Sequence, residues 1–205
     1  MFSLNFATIV DPILCDVRIY LPDFAGMKAG DRVLDVCCGS GAQVYEYSRK
    51  GLTAHGVDNS QRMLDLAQRY YTKSNMSSIS FTLTDAVHLP FADGSFDFAS
   101  ISLALHDKDA VLADKIVVEM KRVTCSGGRL VFMDYSAPLP HSITGYLIRA
   151  IEFFAGEEHF RNFRWYLING GLQRVLQSYD LPLIKAERVK IGNITLMLAQ
   201  NGGKL

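Results

Sequence analysis

Residues 32–43 read RVLDVCCGSGAQ, from Arg32 to Gln43. The apolar run Val33, Leu34 and Val36 is long enough for one buried strand and too short for a helix. Asp35 sits near its end, the chain breaks at Gly39-Ser40-Gly41, and a helical pattern resumes through Val44 and Tyr47. Strand, glycine turn and helix open a βαβ unit, and ligands of such folds bind beyond the carboxyl ends of the strands. Gly39 and Gly41 let the backbone approach a ligand with no Cβ in the way. The first turn of the helix that follows offers unpaired N–H groups to an anion. A carboxylate at the strand end does different work: it repels a pyrophosphate and accepts a hydrogen bond from an ammonium group.

The next two strands carry acids at the same place. Residues 53–57 (TAHGV) read as a second strand ending in Asp58, with Asn59 and Ser60 after it, and 58 − 35 = 23 residues leave room for one helix and a crossover. Asp58 can accept two hydrogen bonds from a ribose diol, or it can cap the next helix. That helix starts at Ser60, with Met63, Leu64, Ala67 and Tyr71 on one face. Residues 79–84 (ISFTLT) alternate as a third strand and stop at Asp85-Ala86, where the acid is placed to accept from the exocyclic amine of adenine. Chance rarely puts acids at three successive strand ends. A nicotinamide dehydrogenase needs only the second of them.

An acid ahead of a Gly-x-Gly turn resembles the first motif of the class I methyltransferases that use S-adenosylmethionine (SAM). That family commonly has glycine two residues after the acid, where this chain has Cys37. Residues 89–97 (LPFADGSFD) resemble the linker and fourth strand of methyltransferases of the ubiquinone/menaquinone-biosynthesis type, which methylate small or lipid-like acceptors. Ser126-Gly127-Gly128 ahead of the β-rich run 129–135 (RLVFMDY) fits the same pattern. The resemblance covers about residues 33–200. It implies an α/β, Rossmann-like, doubly wound and mostly parallel seven-stranded sheet that ends in an antiparallel hairpin. It also implies SAM as cofactor, with S-adenosylhomocysteine as product. The cofactor contacts it implies are Asp35, Cys37, Gly39, Gly41, Asp58, Asn59, Met63, Asp85, Ala86 and Leu103.

Other features bound the reading. Length and a hydrophobic content of 49% suit one domain over residues 1–205, with an N-terminal helical cap at 1–31 and a helical insert at 141–178. Lys plus Arg and Asp plus Glu are 21 each, so no net field draws the chain to nucleic acid or an acidic membrane. Cys15, Cys37, Cys38 and Cys125 show no CxxC spacing, and no metal is expected. With no leader at the N-terminus and no apolar run of spanning length, the expectation is a cytoplasmic monomer or homodimer without membrane insertion. Residues 12–21 (PILCDVRIYL) read as a helix that Pro22 ends. At the far end, 183–191 and 194–200 are β-rich and joined through Gly192-Asn193, a tight antiparallel hairpin.

The fourth strand, 96–105, ends at His106-Asp107, and the fifth ends at Asp134-Tyr135. Both ends should face the side where an acceptor sits. The insert follows, with an apolar aromatic run at 143–154 and then AGEEHFRNFRWYLINGGL. The pattern makes His106, Asp134 and His159 candidates for a general base on a carbon or hydroxyl acceptor. Tyr20, Tyr135, Phe154 and His159 are the candidate substrate wall, with Phe160 as an apolar neighbour. A catalytically silent SAM-binding protein, a nicotinamide-dependent oxidoreductase and a metalloid methyltransferase using Cys37 and Cys38 are the alternatives.

Overall fold

The computed structural model describes residues 6–71 and 78–202, in two compact units divided between Ala86 and Val87. Residues 1–5 of the expected N-terminal cap lie outside the described residues.

The first unit holds α1 (Phe6–Ala25), β1 (Arg32–Val36), α2 (Ala42–Arg49), β2 (Thr53–Asp58), α3 (Gln61–Tyr71) and β3 (Ile79–Leu83). Its strands are parallel in the order β3-β2-β1, with Asp35 opposite Gly56 and Asp58 opposite Leu83. Val33, Leu34, Asp35 and Val36 are all buried, as a strand covered on both faces requires. Gly56 keeps the sheet close to the turn, since a Cβ there would stand 2.8 Å from Cys38 Sγ and 2.8 Å from the Phe81 ring.

The helix expected to stop at Pro22 continues to Ala25, so the N-terminal element runs through both Pro12 and Pro22. Proline at position 22 has no N–H to give the carbonyl of Arg18 four residues earlier. The structure replaces that donor: Gln43 Nε2, from α2, donates to the Arg18 carbonyl at 3.2 Å. The helix then closes at Gly26, whose φ of 67° is left-handed and natural for a helix stop.

The second unit holds β4 (Phe96–Ser102), α4 (Ala110–Val123), β5 (Thr124–Tyr135), α5 (Ile143–Phe154), α6 (Glu157–Ile168), α7 (Leu172–Ser178), β6 (Leu183–Val189) and β7 (Ile194–Gln200). β4 and β5 are parallel, and β7 runs antiparallel between β5 and β6. Within this unit the strand order is β4-β5-β7-β6, so the chain's seven strands are mostly parallel and close on an antiparallel hairpin. This is the mostly parallel, hairpin-terminated sheet that the motifs imply.

Two boundaries differ from expectation. β4 ends at Ser102 instead of residue 105, and β5 begins at Thr124 instead of residue 129. The hairpin connection is also longer than Gly192-Asn193: β6 stops at Val189, and Lys190, Ile191 and Gly192 all take positive φ. Asn193 is buried there, donating to the Lys190 carbonyl at 2.9 Å and to Thr144 Oγ1 at 2.8 Å, so the turn is shaped by an inward-facing amide. The 89–97 linker is clamped by Arg122. Its guanidinium donates to the carbonyls of Leu89 and Phe91 at 2.9 and 2.7 Å, and to Asp93 and Glu119.

Candidate active site

In the first unit the turn after β1 is built on left-handed backbone: φ is 57° at Cys37, 53° at Gly39 and 75° at Gly41. Glycine takes that conformation freely, while a residue with a Cβ does so at a cost. Gly41 also has no room for a side chain, because a Cβ would stand 2.7 Å from Phe81 Cζ and 3.0 Å from Ala67 Cβ. The turn is pinned from β2. Asp58 Oδ2 accepts from the Gly39 N–H at 2.8 Å and its Oδ1 accepts from the Ser60 N–H at 2.9 Å. Each carboxylate oxygen has a second lone pair, so Asp58 can hold the turn and still accept from a ligand hydroxyl.

Asp35 is buried, Asp85 is exposed two residues past the end of β3, and Ala86 is buried. Asn59 is exposed, and half-buried Met63 brings its Cε to 3.5 Å from where a Gly39 Cβ would be. Burial, with the charges of Asp35 and Asp58, pushes the Cys38 thiol far above the usual range and so disfavours its thiolate.

In the second unit, β4 and β5 end around a buried polar cluster. Asp134 Oδ1 accepts from His106 Nδ1 at 2.7 Å, and its Oδ2 accepts from the N–H groups of Leu105 and His106 at 3.0 and 3.3 Å. An acid that accepts at Nδ1 fixes the proton there and leaves His106 Nε2 as the outward-facing nitrogen. His106 is 4% exposed and Asp134 1%. Burial works against a charge on His106, but the Asp134 carboxylate outweighs it and the imidazole pKa is raised. The ring stands 4.6 Å from Tyr135, 6.1 Å from Phe163 and 6.3 Å from Tyr166, centroid to centroid.

The insert adds Glu152 from α5 and His159 from α6. Glu152 is 5% exposed; its Oε1 accepts from Tyr135 Oη at 2.9 Å and its Oε2 pairs closely with His159 Nε2. Burial opposes the Glu152 charge, yet the bond from His159 and the charge of His106 hold its carboxyl below the ordinary value. His159 Nδ1 lies 3.9 Å from Asp107, whose backbone carbonyl accepts from Asn162 Nδ2 at 2.9 Å. Among the described residues of this unit, two cavities lie near these groups. One of about 430 Å³ is lined by Asp107, Leu112, Gly156, Glu157, His159 and Asn162. The other, of about 290 Å³, is lined by Tyr135, Leu172, Arg188, Thr195 and Met197 among others.

Residues 34–132 match the family described as a methyltransferase domain. Demethylmenaquinone methyltransferase of Paenarthrobacter aurescens is 36% identical over 142 residues, covering 67% of this chain and 53% of its own length. Residues 34–132 of this chain carry the match to the methyltransferase-domain family. The chain spans about half the length of the curated relatives it matches. Solved structures share the fold. A SAM-dependent methyltransferase of Aquifex aeolicus superposes with a TM-score of 0.65 at 16% identity, over 97% of this chain and 93% of that one. A protein of Pyrococcus horikoshii gives 0.71 at 18% identity, over 97% and 92%.

Within residues 34–132 the expected cofactor residues Asp35, Cys37, Gly39, Gly41, Asp58, Asn59, Met63, Asp85 and Ala86 all belong to the first unit, around its strand ends. Leu103 belongs to the second, left-handed at φ 49° just past β4, its N–H donating to the Met133 carbonyl at 2.7 Å. His106, Asp134, Tyr135 and His159 meet in one cluster. Phe154, of the expected substrate wall, does not join it. Phe154 is 79% exposed, because α5 turns Glu152 inward and leaves Ile143, Leu147 and Phe154 outward. Tyr20 sits in α1 of the first unit, its ring 6.2 Å from Phe24.

Two residues escaped the sequence reading. Glu152 is the one acid in a largely apolar helix, and that is the signal that could have found it. Asp11, in α1, accepts from Ser40 Oγ of the glycine turn at 2.5 Å and from Arg18 at 2.7 Å. Asp11 and Arg18 are seven residues apart and so share a helix face, but nothing local ties them to Ser40.

Proposed function

We propose that this chain transfers the methyl group of SAM to a small, oxygen-bearing aromatic acceptor by in-line displacement, releasing S-adenosylhomocysteine. The observation that carries the proposal is Asp58, one carboxylate that holds the glycine turn at Gly39 and keeps lone pairs for a ribose diol. With Asp35 for the methionine ammonium and Asp85 for adenine, it makes the adenosyl side of the site. Gly39 and Gly41 bring the backbone close, and Cys37, Asn59, Met63, Ala86 and Leu103 complete the expected contacts.

The acceptor class rests on the second unit. A small aromatic ligand favours apolar walls with a few convergent polar groups. The rings of Tyr135, Phe160 and Phe163, with the polar atoms of His106, Glu152 and His159, supply that mixture. The name of the Paenarthrobacter relative, an enzyme for demethylmenaquinone, supports an acceptor of quinol character. In this reading His106, Asp134 and His159 orient the acceptor oxygen, Tyr135 packs beside it, and the aromatic walls exclude water. No helix among the described residues is long and apolar enough to cross a membrane. We place the working form in the cytoplasm, as a monomer or homodimer acting on a small molecule with no nucleic-acid partner.

The test is calorimetric titration with SAM, followed by mass spectrometry after incubation with 1,4-naphthohydroquinone. Asp58→Ala should weaken SAM binding by about 1–3 kcal/mol. A monomethylated product should form together with S-adenosylhomocysteine. SAM binding without transfer to the hydroquinone would remove the acceptor class. Equal SAM affinity in wild type and Asp58→Ala would remove the site.

A further inference from the structure

We propose that His106, Glu152 and His159 form a binding site for one divalent first-row transition ion, with Zn²⁺ the best match. Nothing in the sequence spacing suggested it, because the three residues come from the end of β4, the middle of α5 and the start of α6.

The donor geometry comes first. One ligand atom from each of the three residues lies within 4.8 Å of the other two. Donors bound to a tetrahedral ion at roughly 2.0–2.1 Å stand about 3.3 Å apart. His106 Nε2 and Glu152 Oε2 are 3.7 Å apart. That is too long for one shared proton, since a charge-assisted hydrogen bond needs about 2.7–2.9 Å. It is close to the spacing of two donors on one ion. His159 Nε2, now paired with the same Oε2, would move outward slightly to admit the metal.

The support around the donors is the second, independent observation. A metal-binding histidine usually donates its other N–H to a carboxylate or carbonyl, which sets the tautomer and raises its basicity. His106 does so to Asp134 at 2.7 Å, and Asp134 is itself held by two backbone N–H groups. Glu152 has its second oxygen bound by Tyr135 Oη at 2.9 Å, which leaves Oε2 for a metal. His159 turns its Nδ1 toward the Asp107 carboxylate at 3.9 Å. A buried network kept only for packing would gain little over apolar side chains of the same volume. Two histidines and a carboxylate, each with its rear atom facing an oxygen group, are better explained as ligands.

The donor set selects the ion. Two imidazoles and one carboxylate suit zinc and its first-row neighbours, while magnesium and calcium prefer oxygen alone. Three protein ligands leave a fourth position open, as in catalytic zinc sites. His159 also lines the cavity of about 430 Å³. The use of the ion, though not its binding, rests on the methyl-transfer reading: it would hold the acceptor oxygen and favour its deprotonated form.

The experiment measures metal directly. Chelator-stripped protein is titrated with Zn²⁺, and separately with Mg²⁺, by calorimetry, with bound metal counted by mass spectrometry and folding checked by circular dichroism. The expected result is one Zn²⁺ per chain and no comparable Mg²⁺ binding. Glu152→Gln and His159→Ala should weaken Zn²⁺ binding at least tenfold, and Asp134→Asn should weaken it about 10–100-fold through His106. Co²⁺ in place of Zn²⁺ should give a visible absorption band that His159→Ala abolishes. Folded wild type that retains no Zn²⁺ after dialysis would overturn the proposal and leave a proton-bridged polar network. So would equal stoichiometry and affinity in wild type and His159→Ala. Neither result depends on finding a methyl acceptor.

Discussion

Cys37→Gly should make this protein more stable. Cys37 holds φ at 57°, in the left-handed region, between the end of β1 and the pinned Gly39. A side chain there costs about 1–2 kcal/mol through the contact between Cβ and backbone. Glycine removes that cost but gives back about 0.5–1 kcal/mol, because it has more backbone freedom to lose on folding. The net expectation is a gain of about 0.5–1 kcal/mol, which in a chain of this size raises Tm by about 1–4 °C. Thermal and denaturant unfolding monitored by circular dichroism would measure it, with Cys37→Ala as the partner variant. Alanine keeps the Cβ and loses the thiol, so it keeps the backbone cost and should not show the gain that glycine gives. SAM affinity and turnover should be kept or improved in Cys37→Gly. Destabilisation by glycine would show that the thiol packs well enough to outweigh the strain. Loss of turnover with SAM binding intact would give the thiol a chemical role.

Gly41→Ala should destabilise by about 2–4 kcal/mol, since it adds left-handed strain to a Cβ 2.7 Å from the Phe81 ring, and denaturant unfolding would measure it. Gln43→Leu should cost about 1–3 kcal/mol by stripping the Arg18 carbonyl of its donor, and Pro22→Ala in the same chain should recover part of the loss. Glu119 is held below its usual pKa of 4.5 chiefly by its hydrogen bonds from Arg122. A depressed carboxyl stabilises the fold above the unfolded value and loses that contribution as pH falls through the folded one. The stability gap between wild type and Glu119→Gln should therefore be steady above about pH 4.5 and narrow below it, as denaturant melts across pH would show.

What the sequence determined by itself was local. A buried five-residue strand, a glycine turn and a helix are specified by residues that touch their near neighbours, so RVLDVCCGSGAQ was readable without a structure. The acids at or near the ends of β1, β2 and β3 were readable for the same reason: each strand marks its own end. The antiparallel hairpin followed from two β-rich runs too close together for a crossover, although its turn proved longer because a buried Asn193 shapes it. Tertiary structure decided whatever depends on partners far apart in the chain. Pro22 reads as a helix stop until Gln43 is found supplying the donor it lacks. The apolar content of residues 143–154 says that a helix forms, but not that it turns its one acid inward and Phe154 out. His106, Asp134 and His159 were readable as candidates from their places at two strand ends and in the insert, while Glu152 was not. They became one site only where β4 and β5 end side by side and the insert folds back, because a buried charge can be kept only where distant groups converge to satisfy it.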